Sequence, residues 1–285
     1  MINESRVASG IAVVVDNDFF LIDVGSGTYR NAELLGLPVS ELSKIFITHF
    51  HSDHIGDLGE ANIMSWANGR RKKICVYGPE GVDQVINGFN MAYNFDKGYR
   101  IAHHGEKTLK PDAGNLESKT ISIQNKTDLT LVFESENLKI FAVLVDHSPI
   151  EPALGFRIEY KGKTIAITGD TKKTDTLPKL CKNADILFAD AISYELLNRI
   201  RQVSLEKGQE RNAKILNDIQ NYHMNPIDAA HLAKEANVKK LVYVHITPQL
   251  PNKIAEKIYL NGVSDIFNGE ILLGEDKMDF LLTPE

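Results

Sequence analysis

The chain has 285 residues, 43% of them apolar and 25% charged, which excludes intrinsic disorder, a disulfide-built miniature scaffold and a collagen-like fibre. Its 32 basic and 38 acidic residues leave a formal charge of −6 at pH 7, the wrong sign for a protein that coats nucleic acid with surplus Lys and Arg. No run reaches the roughly 20 apolar residues needed to cross a bilayer, and the first residues lack the charged-then-apolar order of a signal peptide, so the chain as given reads as cytoplasmic and without a membrane partner.

Apolar runs at 11–15 and 18–23, split by Asp16-Asn17, predict a β-hairpin, and Gly25-Ser26-Gly27 then breaks the chain. A strand follows at 44–48, a helix from about Ile55 to Asn68, a strand at 73–77 and a helix over 80–95. The segment from Gly98 to Lys126 is polar and Gly/Pro-containing, with no periodic pattern. The second half opens with β-pattern at 129–145, 154–160 and 163–168, where Lys161-Gly162 is a tight turn. It continues with a helix at 174–183, a strand at 185–190, a helix at 226–236, a strand at 240–244 and a helix at 252–260. Residues 198–222 fit either a helix with exposed faces or a loop. Two β-rich segments, each followed by helices, predict an α/β fold in which two sheets pack face to face with helices outside, an αβ/βα four-layer sandwich, with residues 1–285 as one domain. Cys75 and Cys181, the only cysteines, can build neither a thiolate zinc finger nor a disulfide framework, and a single bond between them stays open.

The sharpest chemical signal is IFITHFHSDHIGD, which places His49, His51, Asp53 and His54 directly after a strand. In an extended stretch alternate side chains point the same way, so His49 and His51 can share one metal while Asp53 and His54 turn toward a second. Three further strands end in a residue of ligand type: FAVLVDHS in His147, TIAITGD in Asp170 and KKLVYVHITP in His245. Imidazole and carboxylate without thiolate suit Zn²⁺, with Mn²⁺ or Fe²⁺ as alternatives. Together these side chains are enough for two ions if one carboxylate bridges them and water completes the shells.

This set resembles the metallo-β-lactamase superfamily, whose pattern is HxHxDH followed by a later His, a later Asp and a final His. The resemblance implies that His49, His51 and His147 hold one Zn²⁺, that Asp53, His54 and His245 hold another, and that Asp170 bridges them. It implies a metal-bridging hydroxide as nucleophile, with Asp53 orienting the water or taking its proton. The stretch YHMNPIDAAHLAKEANVKKLVYVHITP resembles the ribonuclease Z and arylsulfatase-like branch, in which a His matching His223 gives a proton to the leaving group. There a His-Glu pair orients that donor. Here the pair is Ala189-Asp190, so Asp190 must act with one methylene less. His231, within the predicted helix, reads as packing or surface.

Bacterial ribonuclease Z proteins carry a tRNA-gripping arm between the positions matching His147 and Asp170, and here only the hairpin ALGFRIEYKGKTIAIT fits between them. The expected substrate is therefore a small anionic ester, a phosphodiester or an aryl sulfate, with no stable nucleic-acid complex. The alternatives are a lactonase or other carboxylic-ester hydrolase, a tRNA 3′-processing endonuclease, a non-catalytic binding protein and an iron-dependent redox enzyme. By resemblance to arylsulfatase-like members, Arg100, His103, His104 and Arg157 form an anion-recognising rim, the alternative being an exposed polar loop. The run Arg70-Arg71-Lys72-Lys73 reads as a solvated turn or an anion-steering patch, and Trp66, Tyr93, Phe95 and Tyr99 as helix packing or a substrate wall. Members of the branch usually begin with a strand that this chain lacks, which implies either an upstream leader, and then an exported form, or a sheet edge covered by something else. The branch also implies a homodimer.

Overall fold

In the computed structural model the described residues are 6–16 and 18–284; Asn17 of the hairpin turn and residues 1–5, on which the leader reading turns, lie outside them. The chain forms two compact units, residues 2–122 and 123–285.

The first unit contains β1 (Ile11–Val15), β2 (Asp18–Ile22), α1 (Thr28–Leu34), β3 (Leu42–Phe46), α2 (Ser52–Ile55), α3 (Leu58–Ala67), β4 (Ile74–Gly78), α4 (Val82–Ala92), α5 (Asn94–His104) and β5 (Leu116–Thr120). Its five strands lie in the order β1-β2-β3-β4-β5. The β1–β2 pair is the predicted hairpin, and the later neighbours are parallel, with the helical crossovers that parallel pairing requires between them. Phe19, Leu21, Ile45 and Val76 share a core with Leu58, Ala61, Val82 and Ile86 of the helices.

The polar stretch 98–126 is not a plain loop, because it supplies most of α5 and all of β5. Its order comes from the basic run. Arg70 is 3% exposed. Its guanidinium donates to Asn62 O (2.8 Å), Asn62 Oδ1 (2.6 Å), Ser65 Oγ (2.9 Å), Ala113 O (2.7 Å) and Lys72 O. Arg71 donates to Thr108 O at 2.8 Å and Lys73 pairs with Asp112 at 2.8 Å. The run is thus neither a solvated turn nor a steering patch at Arg70, which cross-links α3 to residue 113. Burial pulls the Arg70 pKa down to about 10, so it stays charged near neutrality.

The second unit contains β6 (Thr130–Glu134), β7 (Leu138–His147), β8 (Ile150–Tyr160), β9 (Lys163–Ile167), α6 (Leu177–Cys181), β10 (Ile186–Ile192), α7 (Tyr194–Glu206), α8 (Glu210–Asp218), α9 (Pro226–Glu235), β11 (Lys240–Thr247), α10 (Lys253–Tyr259), α11 (Val263–Ile266) and β12 (Glu270–Leu273). Its seven strands run β12-β11-β10-β9-β8-β7-β6. β6 to β9 form an antiparallel meander, and β9 to β12 are parallel. Lys161 (φ 44°) and Gly162 (φ 79°) both take the left-handed backbone that a two-residue hairpin turn requires. Residues 198–222, open on sequence grounds, are largely the helices α7 and α8. Asn225 caps α9 in a reciprocal capping box with Asp228, with Pro226 at the first helical position. The Ala-rich face of α9 (Ala229, Ala230, Ala233) packs on Leu187, Ala189, Leu241 and Tyr243.

The expected pair of mixed sheets with accompanying helices is present. Both cysteines are free thiols. Among the described residues, no helix is long and apolar enough to cross a membrane.

Candidate metal centre

In the first unit the chain leaves β3 at Phe46 and runs through Thr48–His51 into α2, so the histidine cluster stands at the carboxyl end of a parallel strand. Such strand ends are where ligands commonly bind in α/β sheets. The cluster is organised by Asp23, one residue beyond β2, whose φ of 56° is rare outside glycine. Asp23 Oδ1 accepts from Thr48 N (2.8 Å), and Oδ2 accepts from Thr48 Oγ1 (2.8 Å) and His54 Nδ1 (2.7 Å). A carboxylate only accepts, so His54 carries its proton on Nδ1 and presents the Nε2 lone pair. The single hydroxyl proton of Thr48 is committed to Asp23. Its oxygen therefore accepts from His49 Nδ1 at 3.1 Å, which leaves the His49 lone pair on Nε2 as well.

His49 Nε2 lies 2.9 Å from His51 Nδ1. Two nitrogens on one tetrahedral ion at about 2.0–2.1 Å would be separated by about 3.3–3.4 Å, so this pair needs little movement to share an ion. His54 Nε2 and Asp53 Oδ2 form a second close pair at 3.8 Å. Outer carboxylates of the Asp23 kind tune metal affinity, so Asp23→Ala is expected to weaken Zn²⁺ binding about 10–100-fold. Competition with a chelating dye measures this, and unchanged affinity would remove Asp23 from the metal's support.

In the second unit His147 closes β7, Asp170 follows β9, Asp190 lies within β10, His223 immediately precedes the Met224-Asn225 entry to α9, and His245 lies in β11 with a φ of 49°. Donor atoms of Asp170, Asp190, His223 and His245 all fall within 4.8 Å of one another. Asp170 Oδ2 stands 3.4 Å from His245 Nε2 and 3.9 Å from His147 Nε2. His147 Nδ1 donates to Tyr222 O at 2.9 Å, which again leaves the lone pair on Nε2.

Asp190, despite its shorter side chain, accepts from His223 Nδ1 at 2.7 Å through Oδ2. Its Oδ1 lies 3.2 Å from His245 Nδ1, an ion-pair contact without hydrogen-bond alignment. The carboxylate is itself held, since Asp190 N donates to Thr168 Oγ1 at 3.0 Å and Thr171 N donates to Asp190 Oδ2 at 3.3 Å. Burial holds His147 below the usual histidine range, the neutral form a metal ligand needs. For His223 burial works in the same direction but is outweighed by the charge and hydrogen bond of Asp190 and the charge of Asp170, so its pKa is raised.

Imidazoles with outward lone pairs, carboxylates and no thiolate make a donor set that fits borderline divalent cations such as Zn²⁺. Sequence reasoning passed over Asp23, Thr48 and the Tyr222 carbonyl. Asp23 carried the same signal as Asp170, an acid closing an apolar run.

The rim residues are placed differently. Arg157 is not at the cluster. It stands opposite Phe141 on β8, whereas His147 stands opposite Ile150, and seven extended residues cover about 23 Å. Its guanidinium instead binds Leu180 O (3.0 Å), Lys182 O (2.8 Å) and Glu159 (2.6 Å). Arg100, His103 and His104 belong to α5 rather than to a loop. Arg100 pairs with Asp96 one turn back at 2.9 Å, His103 Nδ1 lies 3.3 Å from Tyr99 O, and both histidines are exposed. Trp66 is buried and Tyr93 packs on Gly59, but Phe95 and Tyr99 face solvent, stacked on each other with ring centres 6.4 Å apart. His231 is exposed on α9.

The model of the beta-lactamase superfamily domain matches residues 19–246. Ribonuclease Z of Mycobacterium bovis (strain BCG / Pasteur 1173P2) is 31% identical over 260 residues, 90% of this chain and 85% of that protein. Ribonuclease Z of Mycobacterium marinum is 29% identical over 274 residues, 95% of this chain and 91% of that protein. Among solved structures, the short form of human tRNase Z superposes with a TM-score of 0.65 at 22% identity, covering 97% of this chain and 93% of that one. The metallo-β-lactamase fold protein YhfI from Bacillus subtilis gives 0.63 at 19%, covering 95% and 90%. The chain therefore belongs to the ribonuclease Z branch of the metallo-β-lactamase superfamily, has its α/β fold, and is a metal-dependent hydrolase.

Proposed function

We propose that residues 1–285 work as one dizinc hydrolase domain that cleaves small anionic phosphodiesters. In this reading His49, His51 and His147 would hold a first ion, Asp53, His54 and His245 a second, and Asp170 would serve both; Mn²⁺ and Fe²⁺ are the other ions this donor set would accept. When bound, such ions would supply an activated water and Lewis-acid polarisation of the ester. Asp53, with its side chain 48% exposed, orients the attacking water. His223, with Nδ1 engaged by Asp190, turns Nε2 toward the leaving oxygen and gives it a proton. A second copy of the chain is the partner this branch implies.

One observation carries the choice of a small diester. Between His147 and Asp170 the chain spends its length on β8, the turn Lys161-Gly162 and β9, and these strands pair residue for residue from Phe156–Ile167 to Tyr160–Lys163. That is the stretch where the branch places an arm for tRNA. The relatives named ribonuclease Z favour a second reading, in which the substrate is precursor tRNA.

A panel separates them: bis(4-nitrophenyl) phosphate, 4-nitrophenyl sulfate, an acyl-homoserine lactone and a precursor tRNA, each with Zn²⁺- and Mn²⁺-loaded protein. The diester is expected to give a kcat/KM at least about tenfold above the others, a barrier difference of about 1.4 kcal/mol. Faster cleavage of the tRNA at its 3′ boundary establishes the second reading. No turnover of any substrate defeats both.

A further inference from the structure

The loop that carries His223 is held through its backbone. Three consecutive carbonyls, those of Tyr222, His223 and Met224, are each taken by a different element. His147 Nδ1 at the end of β7 donates to Tyr222 O (2.9 Å), the Tyr194 hydroxyl at the start of α7 donates to His223 O (2.7 Å), and Ile192 N in β10 donates to Met224 O (2.9 Å). Asp190 fixes the imidazole at one nitrogen, but a single bond to a ring leaves its pivot, the Cα of residue 223, to be fixed by something else. The donor to that residue's own carbonyl is a side chain rather than backbone.

Tyr194 is well placed for this. Ser193 caps α7 by accepting from Leu196 N at 3.3 Å, and Ser193 N donates to Thr247 O at 2.8 Å, so the first turn of α7 is tied to β11 two residues beyond His245. Burial pushes the phenol up to about 12, so its proton is present throughout the working pH range.

We propose that Tyr194 is a positioning residue for proton transfer: by holding the His223 carbonyl it aims His223 Nε2 at the leaving oxygen, independently of the metal ions. This rests on the reading of His223 as proton donor. During the step the oxygen of the attacking water forms a new bond to phosphorus as the ester P–O bond breaks; the pair of the broken P–O bond goes to the departing oxygen, which takes the proton from His223 Nε2, and the N–H pair stays on Nε2.

The test is Tyr194→Phe with two substrates that share a thymidine phosphate. Thymidine 5′-(4-nitrophenyl) phosphate releases a phenolate that is stable without a proton, whereas the dinucleotide thymidylyl-thymidine releases an alkoxide that is not. Tyr194→Phe is expected to lower kcat about tenfold with the dinucleotide and at most about twofold with the aryl ester, with KM and metal content as in the parent. In a His223→Ala background the same change is expected to add nothing, since both act at one step.

Equal losses with the two leaving groups, or a full loss added on top of His223→Ala, would overturn the proposal. If His223→Ala itself costs the same with both substrates, the proton-donor reading fails instead. Nitrogen-15 NMR of the histidine rings decides the positioning without turnover. In Tyr194→Phe the His223 ring signals are expected to shift while those of His231 stay, and unmoved His223 signals would refute the role of Tyr194.

Discussion

His49→Ala is expected to yield a folded protein that binds at most one metal ion per chain and hydrolyses bis(4-nitrophenyl) phosphate more than about 10³-fold more slowly, because the attacking water would lose the lowering of its pKa that the metal centre supplies. The size of the effect follows from how firmly His49 is prepared. It is fully buried, its Nδ1 is engaged by Thr48, and its Nε2 is already directed at the point His51 addresses. Alanine removes that nitrogen and also the Nδ1 group that contacts Thr48 Oγ1. Metal analysis by mass spectrometry, circular dichroism and steady-state kinetics together check the result. A variant that keeps two ions and parental kcat removes His49 from the metal centre.

Arg70→Met is expected to destabilise the protein by about 3–5 kcal/mol, the range seen when one member of a buried polar network is removed and the rest stays buried. Methionine fills much of the space but leaves the acceptors Asn62 Oδ1 and the carbonyls of Asn62, Lys72 and Ala113 without the donor that organises them. Arg70→Lys keeps the charge but not the fork of five donors, so it should fall between. Urea midpoints give the comparison at constant slope. A loss under about 1 kcal/mol would mean that water or a rearranged Lys72–Ala113 region replaces the guanidinium.

The two residues show what a sequence reveals and what it hides. His49 was legible because its meaning is local: a ligand pattern read against the end of an apolar strand needs no knowledge of distant contacts. The same logic singled out His147, Asp170 and His245, and Asp170 stands 3.9 Å from His147 and 3.4 Å from His245. Arg70 was misread because its five acceptors come from α3, residue 72 and residue 113, and nothing in RRKK distinguishes an arginine that turns inward from one that faces water. The region 98–126 was opaque for the same reason, since its order is imposed from outside. Residues 198–222 stayed undecided because α7 and α8 leave Ile200, Val203, Leu205 and Ile215 partly in solvent, which blurs the apolar stripe that identifies a helix. Arg157 was placed at the rim by the resemblance of its stretch to arylsulfatase-like members, but the extended strand β8 carries it away from the end at which His147 stands.

Asp190 gives each oxygen to a different histidine, Oδ2 to His223 and Oδ1 to His245. If His223 is the proton donor and His245 an ion ligand, as proposed, a substitution at Asp190 is expected to disturb proton delivery and ion retention together, so that a kinetic defect of such a variant would belong to both. For the same reason selection on one trait drags the other with it. On the proposed roles, an engineer who wants a new leaving-group preference with the ions undisturbed would work at Tyr194, which bonds the His223 carbonyl, rather than at Asp190, which touches both histidines.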